Sequence, residues 1–197
     1  MEQKAVNPNP NPSPSLREAA LQPHDRQLFY QLLAKASKYH EWGSGGSTVQ
    51  ASHRGLAVSS IESDAQWHAM LQPELGAHVN YVLVDLHCKA NDWGMPGADA
   101  TEQNKRAYSD AALAEGCDLV LIDGRFRVAC ALKLFQVIDA QCLVCFDDFL
   151  FRPAYHCIKE FYDIVESTEA DSMVVLRKRD VAAPSAELIA HWELDSF

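Results

Sequence analysis

With 197 residues, 48% of them hydrophobic, the chain is long enough for one α/β domain with a sizeable core. Its net charge of −10 argues against nucleic acid or an anionic membrane surface as the main partner, because both call for a basic face. No apolar run is long enough to span a bilayer, and the first residues lack the basic-then-apolar pattern of a secretory signal.

The stretch Asn7 to Ser15, "NPNPNPSPS", has proline at every second position and predicts an extended tail. The tail is expected over residues 1–23, and a single domain over 24–197. From Asp25 to Ser37 the apolar residues Leu28, Phe29, Leu32, Leu33 and Ala36 recur at helical spacing. A short strand, "KYHEW", then runs into the glycine turn "GSGG", and a helix follows from about Ser47. Strands are predicted at Leu56–Glu62 and His78–Asp85, with a helix between them interrupted by Pro73.

The segment Leu86–Ala100 predicts a long loop, of the kind that shapes ligand pockets. "NKRAYSDAALAEG" predicts a helix stopped by Gly116. "CDLVLID", Cys117–Asp123, is a nearly continuous apolar strand, as expected when helices cover both faces of a sheet. "FRVACALKLFQVI" predicts a helix, "CLVCFDD" a fifth strand and "AYHCIKEFY" another helix. "DIVEST" and "SMVVLRKR" are strands joined by too short a link for a parallel crossover, so they pair antiparallel. Residues 180–197 carry no clear pattern. The result is an α/β doubly wound, mostly parallel seven-stranded sheet with a C-terminal antiparallel hairpin.

Six cysteines are present, four of them inside apolar periodic segments. That usage fits a reducing cytoplasm better than a disulfide framework. Cys142 and Cys145 form a C-x-x-C, but on a strand their side chains point to opposite faces.

In such sheets the ligand lies at the carboxyl ends of the strands. Gly43 and Gly45 allow close backbone approach there. A dinucleotide fingerprint would need a third glycine where Thr48 stands, and a phosphate loop would need a lysine that the turn lacks. Glu41 would repel a pyrophosphate but attract an ammonium or sulfonium. Glu62, roughly 20 residues on, stands where a ribose-binding acid is expected. Together these features describe an adenosyl ligand with a cationic, phosphate-free tail.

"EWGSGGST" resembles motif I of the class I S-adenosylmethionine (SAM)-dependent methyltransferases, in the form acid-x-Gly-x-Gly. "SSIESD" resembles their second-strand acid motif, and the closing hairpin resembles their sixth and seventh strands. The resemblance spans roughly residues 25–179. It implies that Glu41, Gly43, Ser44, Gly45 and Ser47 line the methionine part of SAM and that Glu62 holds the ribose. Asp123 would lie beside the same ligand, Asp85 near the adenine, and Trp67 could pack on it.

Asp123, Asp147 and Asp148 end adjacent strands. Such acids suit Mg²⁺ or Ca²⁺, and their placement is similar to that in metal-dependent O-methyltransferases of the catechol and macrolide-sugar types. That likeness implies Asp123, Asp147 and Asp148 as metal ligands, with Asp123 and Asp147 in catalysis. Where the catechol type has a lysine base, this chain has Phe126. His40, His87 and His156 are alternative bases. Arg125, Arg127 and Arg152 either clamp an anionic substrate or pair with acids. The expected activity is methyl transfer to a small molecule at oxygen, or adenosyl-ligand binding without transfer; a nicotinamide oxidoreductase fits the turn and hairpin less well.

Overall fold

A computed structural model describes residues 16–90, 92–168 and 170–196. The proline-rich stretch 7–15 lies outside the described residues. The elements follow in the order α1 Pro23–Leu33, β1 Lys38–Trp42, α2 Gly46–His53, β2 Ala57–Glu62, α3 Ala65–Leu71 and β3 Asn80–Leu83. After them come α4 Glu102–Tyr108, β4 Leu119–Ile122, α5 Arg127–Leu134, β5 Leu143–Phe146, β6 Tyr162–Ser167, β7 Val174–Lys178 and α6 Ala186–Trp192.

The seven strands form one sheet in the order β3-β2-β1-β4-β5-β7-β6. The first five run parallel, and β7 inserts antiparallel between β5 and β6. The order reverses at β1 and β4, which places the ligand crevice of a doubly wound sheet between their carboxyl ends.

Alternation along the strands sends side chains into two cores. Tyr39 packs with α1 residues Phe29 and Leu33 on one face; Trp42 packs with Tyr108, Phe126 and the α5 residues on the other. The Trp42 indole N–H donates to the Tyr108 carbonyl (2.9 Å), which satisfies a polar atom inside that core.

Three expectations are corrected. Residues 16–22 are not part of a free tail: Ala19 and Leu21 are buried in the α1-side core, and the Gln50 side chain donates to the Arg17 carbonyl (2.6 Å). The apolar content after Pro14 explains this. The segment Pro153–Glu160 is a run of 3₁₀ turns rather than an α-helix. Its buried Tyr155 and Ile158 are three apart, the spacing that stacks on one face of a 3₁₀ helix. The helix expected through Glu115 stops at Tyr108, because the Asp110 carboxylate accepts from the Ala112 N–H (2.9 Å) and starts a separate 3₁₀ turn.

No helix among the described residues is long and apolar enough to cross a membrane.

Candidate functional site

The sheet ladder continues one residue beyond the strands. The N–H groups of Gly43, Asp123 and Asp147 donate to the carbonyls of Ile61, Trp42 and Ile122 (3.0, 3.0 and 3.1 Å). This fixes the glycine turn and the two aspartates side by side along the carboxyl edge.

Gly43 has φ +89°, and a side chain there would meet the Gly124 backbone at 2.8 Å. Both facts restrict the position to glycine. Gly45 is extended and faces open space. Gly46 begins α2 against the Glu18 backbone, where a side chain would meet the carbonyl at 1.9 Å. Thr48, standing where a dinucleotide motif has glycine, accepts the Gly45 N–H through its hydroxyl (2.9 Å) and caps α2.

Glu41 is fully buried on the α1 side of the sheet. Its Oε2 accepts from the Tyr39 hydroxyl (2.7 Å) and the Ser47 hydroxyl (2.6 Å). Its Oε1 is buried with no hydrogen-bond partner among the described residues. Burial pushes the carboxyl up, against the pull of surrounding hydroxyls. An unmet acceptor beside a glycine turn fits a cationic ligand group.

Glu62 is also buried, yet its oxygens are fully engaged. Oε2 accepts from the Ser44 N–H (3.1 Å) and hydroxyl (2.5 Å). Oε1 accepts from the N–H groups of Ser63 (2.7 Å) and Asp64 (2.8 Å) and from the Ser63 hydroxyl (3.3 Å). Burial raises this carboxyl too, and the Ser44 hydrogen bond opposes the rise. A ribose diol would have to displace the Ser44 hydroxyl, which already has a second partner in the Tyr81 hydroxyl (2.7 Å). The Trp67 indole N–H donates to the Ser44 carbonyl (2.9 Å) and steadies the turn.

Asp123, Asp147 and Asp148 do converge, but around a guanidinium. Arg127, on the first turn of α5, is buried and reaches all three carboxylates, at 3.1, 3.6 and 3.3 Å. It also donates to the carbonyls of Gly124, Asp147 and Asp123. Burial alone would weaken its hold on the proton; the three aspartates outweigh that and strengthen it. Arg152 adds a second cation on Asp148 (2.8 Å).

Burial, then the neighbouring charge of Asp123, pushes Asp147 up to about 8. Asp123 is also raised by burial, against the pull of Arg127. At neutral pH Asp147 therefore keeps its proton, and the three acids face two guanidiniums. This donor set does not fit Mg²⁺: the charge is already cancelled, and Arg127 stands among the oxygens a metal would need. Among the described residues no group of acids, histidines and cysteines has a metal-holding arrangement. The metal expected at Asp123, Asp147 and Asp148 is corrected on that ground.

Two turns here are strained. Phe126, immediately before α5, and Asp148, two residues after β5, have left-handed backbones with φ 52° and 60°. The burial of Phe126 beside Tyr108 holds the first in place.

The three candidate histidines have other partners. His40 is buried against Trp42, and burial drives its pKa to about 3. His87 pairs with Asp85 (3.6 Å), and His156 bonds the Phe149 carbonyl (3.0 Å). Asp85 itself accepts the His87 N–H (2.7 Å).

No family model matches the sequence, and no curated protein does. Among solved structures, a methyltransferase-like protein from Silicibacter pomeroyi DSS-3 matches with a TM-score of 0.76 and 27% identity, covering 92% of this chain and 100% of that one. The chain has the class I SAM-dependent methyltransferase fold. A TehB-like SAM-dependent methyltransferase from Corynebacterium glutamicum ATCC 13032 Kitasato shares this methyltransferase fold at TM-score 0.51 and 11% identity, over 77% and 87% of the two chains. The N-methyltransferase NodS from Bradyrhizobium japonicum WM9, bound to S-adenosylhomocysteine, matches at 0.50 and 13%, over 80% and 89%.

Within the methyltransferase fold, sequence reasoning missed Tyr81 and Gly124 as parts of this edge, and of the two roles open to Arg127 the structure shows the pairing with acids. Arg127 had one signal: it lies four residues after Asp123, the spacing of a helical ion pair.

Proposed function

We propose that the chain is a SAM-dependent methyltransferase acting on a small molecule, at oxygen. The observation that carries this is the unmet Glu41 Oε1 beside a glycine turn that admits no side chain at Gly43, on a sheet of the methyltransferase fold. When bound, SAM supplies an electrophilic methyl on a sulfonium. Glu41, with Gly43, Ser44, Gly45 and Ser47 around it, holds the cationic tail; Glu62 takes the ribose hydroxyls as Ser44 turns toward Tyr81.

Asp123 and Asp147 supply the base. Below about pH 8 Asp147 keeps its proton, so it accepts one from an acceptor hydroxyl only as the pH rises through that value. The loop Leu86–Ala100 lies against this edge, its Gly94 carbonyl at the Ser63 hydroxyl (3.4 Å), and shapes the acceptor pocket. The six free cysteines support a reducing, cytoplasmic setting.

A second reading, adenosyl-ligand binding without transfer, is favoured by the saturation of Asp123, Asp147 and Asp148 by arginines. Calorimetry with SAM, S-adenosylhomocysteine and NAD, followed by methyl-transfer assays across pH 6–9, tests both. Binding of the first two with turnover that climbs toward pH 8 is expected. Binding without turnover selects the second reading, and NAD binding alone removes both.

A further inference from the structure

Resting on the methyl-transfer reading, we propose that Arg125 anchors an anionic group, a carboxylate or phosphate, carried by the methyl acceptor. Three arginines stand at this end of the sheet, and two are spoken for. Arg127 is held by three aspartates, and Arg152 by Asp148 with its guanidinium over the Tyr155 ring (5.6 Å). Arg125 has no carboxylate within ion-pair distance among the described residues. Its Nε is buried without a hydrogen-bond partner, and its Nη1 meets only the Met95 thioether (3.2 Å).

A guanidinium drawn partly out of water against a weak sulfur acceptor is an unfavourable arrangement by itself. Burial, and then the like charge of Arg127, already loosen its proton. An anion would satisfy the idle donors through charge-assisted hydrogen bonds.

The position selects the acceptor as the source of that anion. Arg125 follows Asp123 by two residues, and its stem lies 4.0 Å from where a side chain would sit at Gly94, in the loop that shapes the acceptor pocket. An anion placed further along β5 would meet Asp147 and Asp148. The methionine tail of SAM is assigned to the β1 side, at Glu41.

The test uses calorimetry on the full chain saturated with S-adenosylhomocysteine. The probes are 4-hydroxybenzoate against 4-hydroxybenzamide, and phenyl phosphate against phenol. At least one anion is expected to bind about tenfold or more tightly than its neutral counterpart. Arg125→Gln should erase that preference, and Arg125→Lys should keep part of it. Melting followed by circular dichroism should show Arg125→Gln at least as stable as the parent, since an uncompensated cation is removed. Equal binding of acid and neutral probe, no binding of any probe, or a preference that survives in Arg125→Gln would overturn the proposal.

A cofactor arm separates the two sources of a carboxylate. Arg125→Gln should leave unchanged the ratio of affinities for S-adenosylhomocysteine and 5′-methylthioadenosine, which lacks the carboxylate. A selective loss for the former would assign Arg125 to the cofactor and overturn the acceptor assignment. Failure of the parent protein to bind S-adenosylhomocysteine would break the methyl-transfer reading itself, a result distinct from cofactor binding without anion preference.

Discussion

Two sets of acids stand toward the carboxyl edge of this sheet and meet opposite fates. At the β1–β2 end, Glu41 and Glu62 are held by hydroxyls and backbone amides. At the β4–β5 end, Asp123, Asp147 and Asp148 are held by guanidiniums. Neutral donors stabilise a carboxylate without cancelling its charge, so the first end still attracts a cation. Arginine cancels it, so the second end has no use for Mg²⁺. Both sets are carboxylic acids near strand ends; the partners decide the chemistry.

The most severe way to break this contrast is Arg127→Met. It leaves three neighbouring acids without their buried counter-charge, and loss of one member of such a cluster costs about 3–5 kcal/mol. Urea unfolding of the variant should show a loss of that size. The same variant titrated with Mn²⁺ should gain binding that the parent lacks, since the oxygens are freed. Comparable Mn²⁺ affinity in the parent would show that Arg127 does not fill the metal's place.

At the other end the largest effect is expected at Gly43. Gly43→Ala forces a side chain into a left-handed turn and into the Gly124 backbone. Strain of this kind costs about 1–3 kcal/mol before the clash is added. Gly45→Ala, extended and open, should shift the unfolding midpoint hardly at all. Equal effects would show that the turn is not packed as described.

Asp147→Asn probes the shared charge more gently. The folded chain keeps the Asp147 proton to about pH 8, whereas an unfolded aspartate releases it near 4. Between those values the folded state binds more protons, so the stability due to this group falls as pH rises and the slope vanishes above about 8. Asparagine holds no titrating proton and should flatten that slope: it costs about 1 kcal/mol or less below pH 4, and at pH 7, where only the parent must hold a proton its unfolded chain releases, the variant should be the more stable of the two. A pH series of chemical melts decides it; an unchanged slope would mean that Asp147 is ionised throughout.

The contrast between the ends was half legible in the sequence. Apolar runs ending in Glu62, Asp123 and Asp147 announce strands with acids at their carboxyl ends, and a short link fixes the hairpin. The partners were harder to read. Arg127 draws on acids from two strand ends, so its role needs the β4–β5 register, which local periodicity does not contain. Residues 16–22 follow a proline tract, and long-range contacts explain their order, among them the close approach of Gly46 to the Glu18 backbone and the bond from Gln50 to the Arg17 carbonyl. The saturation of Glu62 was equally hidden, because Ser44 arrives from the other side of α2.

The smallest expected effect is the most specific one. The Ser44 hydroxyl donates to Glu62 and also meets Tyr81, so Ser44→Ala removes one charge-assisted bond from a carboxylate that keeps three amide donors. The loss of stability should be about 1 kcal/mol. Affinity for S-adenosylhomocysteine should hold or rise, because the ribose no longer has a hydroxyl to displace from Glu62. If the Ser44 hydroxyl, rather than its backbone alone, bonds the ligand, affinity should fall by about tenfold, the worth of one such hydrogen bond. Calorimetry on this single variant thus separates a Glu62 that waits for ribose from one that only latches the glycine turn.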